Sequence, residues 1–183
     1  MSAVFALFVT MLALTSRVAV GILLIVASIE KLRLQGAFRD ALAGYRIVPA
    51  PALGVAAIGI PLLEFALGAG LLAGVSAAII AAIALLLGYA MAMGVNLARG
   101  RSHIDCGCSL VRGRPLSARL IVRNVVLAAM AALALTPAEP LSALVLANAV
   151  LAGILLYVLY LMSEVLLALP AVTRGRVAWR EGQ

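Results

Sequence analysis

His103, Asp105, Cys106 and Cys108 fall within one octapeptide, HIDCGCSL at residues 103–110, which holds both cysteines and the only histidine of the 183-residue chain. One glycine separates the two thiols. On a regular helix they would point to nearly opposite faces, so a loop or a helix end is needed to bring them together, and Gly107 permits that bend. A disulfide closing so small a ring gains little from loop closure and reduces more readily than a structural bridge. Arg99, Arg101, Arg112 and His103 favour the thiolate, while Asp105 opposes it or moves a proton. Three chemistries stay open for the pair. One is thiol–disulfide exchange. The second is capture of a soft ion such as Cu(I) or Zn(II) by Cys106, Cys108 and His103, although two thiolates leave the usual four-coordinate zinc site incomplete. The third is a pair of inert thiols, and a lone loop histidine is commonly just solvated.

The elements that must position this loop are apolar. Hydrophobic residues make up 66% of the chain and the mean hydropathy is +1.20, against roughly 45–50% apolar residues in soluble domains. About 20 apolar helical residues cross a bilayer, and stretches of that order occur at residues 4–29, 52–74, 77–97, 120–136 and 142–169. The expectation is an all-α membrane protein with a single integral domain of about five helices over residues 1–170 and a basic cytoplasmic tail over 171–183. The opening segment MSAVFALFVTMLALTSR lacks a positive n-region and a small-x-small cleavage site, so it reads as mature helix rather than signal peptide.

Charge placement predicts the orientation. Lys31, Arg33, Arg39 and Arg46 fall between the first and second spans, Arg99, Arg101, Arg112, Arg114 and Arg119 between or beside the third and fourth, and Arg174, Arg176 and Arg180 in the tail. The opposite connections, AGVSA and TPAEP, carry no Lys or Arg. By the positive-inside rule the amino terminus is outside, and the C-G-C loop and the carboxyl terminus are cytoplasmic. The net charge of +7 therefore reads as topology and attraction to anionic lipid, with no nucleic-acid partner. Arg17 is expected to snorkel towards headgroups.

Inside the spans, GAGLLAG at 68–74 suits close helix packing, and Pro61 is a candidate kink. Glu64, near the middle of the second span, must be protonated, paired or turned towards a polar cavity. By residue type its nearest candidate partners are Arg123 and Asn124. Glu164, in helical spacing with Tyr157 and Tyr160, reads as helix-end polarity.

The order GILLIVASIEKLR, FRDALAGYRIVP, PLLEFALGAGLLAG, NLARGRSHIDCGCSL and LIVRNVVL, within residues 17–130, resembles the MauE family of methylamine utilisation, in the wider DoxX-like group. The resemblance implies a DoxX-like four-helix transmembrane bundle plus one additional C-terminal transmembrane helix in a bacterial inner membrane. It implies a membrane partner of a thioredoxin-like protein, MauD in the methylamine system, needed to mature a disulfide-containing client. DoxX-like relatives are associated with thiol and quinone chemistry. On this resemblance Cys106 and Cys108 are the redox pair, Asp105, His103 and Glu64 are proton-handling candidates, and Arg123 and Asn124 are candidates for holding a quinone. The family commonly has Gly and then Phe after the second cysteine, where this chain has Ser109 and Leu110. A periplasmic client and a cytoplasmic cysteine loop are reconciled if the loop reaches a membrane-dissolved quinone, or if electrons enter from a cytosolic thioredoxin. The alternatives are a soft-metal handler or transporter and a non-catalytic scaffold for a partner.

Overall fold

Long apolar runs have few ways to satisfy their backbone in lipid, and the α-helix closes every N–H within its own segment. The computed structural model describes residues 3–101, 116–136 and 142–181, with side chains described up to residue 166. Its regular elements are helical: α1 Ala3–Arg33, α2 Gln35–Tyr45, a 3-10 turn at Ala50–Ala52, α3 Leu53–Ala73, α4 Ser76–Ala98, α5 Ala118–Leu133 and α6 Ala143–Glu181. Four stretches, Val4–Arg33, Ala50–Ala73, Ser76–Ala98 and Ala143–Leu166, are long and apolar enough to cross a membrane, which fits a multi-pass membrane protein.

The expected fourth span, residues 120–136, is shorter than the other four. α5 has 16 residues, about 24 Å at the helical rise of 1.5 Å, against a hydrocarbon core of about 30 Å. It still runs along the bundle. Leu120 near its start clusters with Met93 of α4, while Ala128 and Ala131 near its end cluster with Ile79 and Ala82, so α5 lies antiparallel to α4. Two further differences concern the ends of spans. α1 continues to Arg33 and takes Lys31 into its last turn, and α6 continues as helix to Glu181 through the segment read as a tail.

α1 packs against α3, α5 and α6, α3 packs against α4, and α4 packs against α5. α1, α3, α4 and α5 thus close a ring around a core that includes Val20, Leu24, Leu67, Leu71, Leu86 and Leu127, and α6 lies against α1. Large apolar side chains such as Val55, Met91, Val122 and Leu151 face outward. Such a surface is a liability in water and is expected against lipid.

Two glycine positions set the geometry. Gly74 has φ 77, and it ends α3 with Val75 N–H donating to Gly70 O and Gly74 N–H to Leu71 O, both at 2.9 Å. That αL stop turns the chain directly into α4. The second position is the α1–α3 crossing. A Cβ at Gly68 would lie 2.8 Å from Gly21 O and 2.8 Å from Ile25 Cγ1, so the two backbones approach more closely than any side chain there allows. Gly68→Val is expected to cost about 1–3 kcal/mol by overpacking, seen as a lower thermal midpoint in detergent. Gly59→Ala, on the same helix with nothing within 4 Å of the added Cβ, should leave the midpoint unchanged or slightly raised. Equal loss in both variants would reject the crossing.

The segment expected to be a plain basic connection contains α2. Phe38, Ala41 and Tyr45 are buried, and their spacing of three and four residues gives one apolar face. That face lies over the end of the bundle, where the polar groups of α1, α3 and α4 meet.

Candidate functional site

The buried stripe of α1 runs Val20, Leu24, Ser28, Lys31, at steps of three and four residues. Lys31 is therefore aimed inward by its phase. Its side chain also leans deeper, because Cα–Cβ bonds tilt towards a helix's amino terminus. α3 is antiparallel to α1: Gly21 meets Gly68, and Ser28 Oγ donates to Pro61 O at 2.7 Å. The same tilt makes Glu64 on α3 lean back towards the end of the bundle that Lys31 occupies. The two side chains converge.

Glu64 Oε1 accepts from Lys31 Nζ and from the Tyr89 hydroxyl of α4 at 2.7 Å. Lys31 Nζ also lies 5.0 Å from the Tyr89 ring centroid and 5.4 Å from that of Phe38 on α2, within range of a cation–π attraction. Glu64 is 1% exposed and Lys31 7%. Charges buried this deeply persist only when paired and hydrogen-bonded. Glu64 Oε2 is buried and accepts no hydrogen bond among the described residues, so it retains acceptor capacity for a proton or a donor.

Beside the ion pair lies a cavity of about 150 Å³. Its lining includes Lys31, Phe38, Tyr45, Ile60, Tyr89 and Met93, and it continues past Ala41, Ile47 and Ala92. Tyr45 and Met93 also cluster with Leu116 and Leu120. Leu116, the first described residue after the cysteines, therefore lies next to this cavity. His103, Asp105, Cys106 and Cys108 themselves lie outside the described residues.

The remaining sequence-predicted residues are distributed differently from expectation. Glu64 is indeed buried in its span, but its partners are Lys31 and Tyr89 rather than Arg123 and Asn124. Arg123 on α5 places Nη1 3.6 Å from Glu164 Oε2 on α6. Asn124 Nδ2 donates to Leu120 O at 2.8 Å, one turn back on its own helix. Glu164 is buried beside Arg123, which corrects its reading as helix-end polarity: its carboxylate links the last two helices. Arg17, expected at the headgroups, reaches the carboxyl-terminal end of α3, where its Nη1 would lie 2.8 Å from a Cβ at Gly74. A cation there complements the carbonyl end of the helix dipole.

Sequence reasoning missed Lys31, Tyr89 and Phe38. A usable signal was present for the first: Lys31 continues the three-and-four spacing of the α1 stripe, which an anchoring lysine has no need to do.

Comparison with known proteins follows the same elements. The family model for methylamine utilisation protein MauE matches residues 9–137, from α1 to just past α5. Methylamine utilization protein MauE of Paracoccus denitrificans is 37% identical over 162 residues, covering 85% of this chain and 87% of the relative. The protein of that name from Paracoccus versutus is 38% identical over 152 residues, 79% and 81% of the two chains. The one from Methylophilus methylotrophus is 33% identical over 163 residues, 83% and 84%. No solved structure matches. A family match over most of the helical bundle, with relatives aligned along most of both chains, means that the chain belongs to the MauE family.

Proposed function

We propose that this MauE-family protein serves methylamine utilisation as a membrane thiol–disulfide component, with Cys106 and Cys108 as its reactive pair. The observation that carries the reading is that the chain's only two thiols stand one residue apart, in a segment after which the first described residue, Leu116, clusters with Tyr45 and Met93 of the apolar cavity wall. In one direction the balanced step is two thiols plus a quinone giving a disulfide plus a hydroquinone. Two electrons and two protons leave the sulfurs for the ring. The opposite face of the cycle is exchange with a thioredoxin-like protein, MauD-like in character, which passes oxidising or reducing equivalents to a disulfide-containing client. Asp105 and His103 are the nearest proton-handling groups in sequence, and Glu64 is the buried one. The basic connections favour an inner-membrane orientation with the amino terminus outside and the C-G-C loop cytoplasmic.

Thiol trapping tests both the chemistry and the side. Cells are quenched in acid and alkylated with a maleimide that retards the protein on a gel, with and without prior reduction. The expected result is a mixture of forms with no and two reactive thiols, merging into the two-thiol form on reduction. Two reactive thiols under every growth condition would overturn the redox reading. In intact cells a membrane-impermeant maleimide should fail to label the reduced pair until the membrane is permeabilised, and labelling from outside would reverse the orientation.

A further inference from the structure

We infer that the part-open cavity lined by residues of α1, α2, α3 and α4 and of the α2–α3 connection binds an uncharged, lipid-soluble ring compound that presents an oxygen acceptor to Lys31. This deepens the proposed function by giving its electron acceptor a place. It rests on that reading for the acceptor being a quinone, but not for the ligand class.

Size and walls point to a ring. The volume is about 150 Å³, and an apolar protein cavity of about that volume stays dry and takes one benzene ring. Drug-sized ligands need roughly 300 Å³ or more. The walls offer the rings of Phe38, Tyr45 and Tyr89 and the thioether of Met93, surfaces that favour a flat π-system over a branched chain.

Charge and hydrogen bonding narrow the class. Lys31 is the one charged group among the described lining residues, and Glu64 already balances it. An anion or a second cation would break that balance inside a low-dielectric site, so the ligand is neutral. An ammonium has three donors and no acceptor. One donor goes to Glu64, so an acceptor oxygen on the ligand, as in a ring carbonyl or hydroxyl, can take another. Glu64 is not itself among the lining residues, and it bears on the ligand through Lys31 and Tyr89, which its Oε1 holds.

Access fits a molecule held in lipid. Ile47 contributes to the wall and is half exposed, so the cavity meets the apolar surface of the bundle there and an isoprenoid or alkyl tail can remain outside. The lining includes neither Arg123 nor Asn124, so the inferred ring site, at Lys31, Phe38 and Tyr89, is separate from those two α5 residues.

The test uses full-length protein in lipid nanodiscs with both cysteines changed to serine, so that binding is read apart from redox activity. The probe is a short-chain azido-ubiquinone, photolysed and mapped by peptide. Saturable labelling within α2 or near Tyr89, displaced by unlabelled short-chain ubiquinone, supports the site even if the thiols prove inert. Filling variants Ala41→Leu and Ala92→Leu should each weaken binding tenfold or more. Two are used because one could disturb packing, and each is checked for an unchanged thermal midpoint. Lys31→Met combined with Glu64→Gln should lose about tenfold, the size of one charge-assisted hydrogen bond. Labelling that never saturates, that is displaced equally by a fatty acid, or that ignores both filling variants would overturn the proposal. Binding that behaves as expected in the serine protein, while the filling variants placed in the cysteine-containing chain leave client maturation intact, would support the site and remove the quinone from the redox reading.

Discussion

Lys31→Met is expected to remove most of the protein from the membrane fraction, and adding Glu64→Gln to it should restore a large part. The asymmetry follows from what each change leaves behind. With Lys31 gone, Glu64 keeps the Tyr89 hydroxyl but remains 1% exposed with no cation beside it. Breaking a buried pair from one side costs about 3–5 kcal/mol, a large share of a typical stability of about 5–15 kcal/mol. Neutralising both sides removes the uncompensated charge, and Met and Gln are close in size to the residues they replace. Glu64→Gln alone should fall between, since Lys31 keeps two aromatic faces and a carbonyl acceptor. Abundance by immunoblot and the thermal midpoint in detergent, read as a double-mutant cycle, give the coupling. A double variant no better than Lys31→Met would mean that the two residues are not coupled. The same set separates structure from chemistry: normal abundance with lost client maturation in Glu64→Gln identifies a proton-handling carboxylate.

That pair also shows how far the sequence could be read. Glu64 was legible because a carboxylate amid apolar residues 61–74 has no inexpensive default. Lys31 was not, because a lysine beside Glu30 and Arg33 at the end of an apolar run has such a default, snorkelling to the headgroups. What overrides it is the phase of α1, and that phase is fixed by the Gly21–Gly68 crossing and the Ser28–Pro61 hydrogen bond, both contacts between residues far apart in sequence. Arg123 illustrates the same limit. Its residue type suited Glu64, but α5 packs against α4 and α1 and turns Arg123 towards α6, where Glu164 lies. α2 was hidden by its composition, since Arg39 and Asp40 interrupt its apolar residues and only the Phe38, Ala41, Tyr45 spacing marks a buried face. The apolar spans themselves were readable within a few residues because length and hydropathy decide them locally.

The largest functional effect is expected at the cysteines. Cys106→Ser with Cys108→Ser should leave a normally inserted protein that supports no client maturation. The bundle is built on apolar packing and on the Lys31–Glu64 and Arg123–Glu164 pairs, none of which involves a thiol, so a loss of abundance is not expected. Exchange proceeds through a mixed disulfide, which makes the single variants more informative than the double. One of Cys106→Ser and Cys108→Ser should accumulate a covalent complex with a thioredoxin-like protein that dissolves in reductant, because the attacking sulfur remains and the resolving one is gone. The other should form no adduct. The soft-metal alternative predicts a different pattern: metal copurifying in stoichiometric amount with the parent protein, lost in either single variant, and no covalent partner in any of them. The scaffold alternative predicts that even the double variant matures its client in full. That outcome would end the redox assignment, and it would leave the Lys31–Glu64–Tyr89 cluster and its cavity as the chemistry still to be explained.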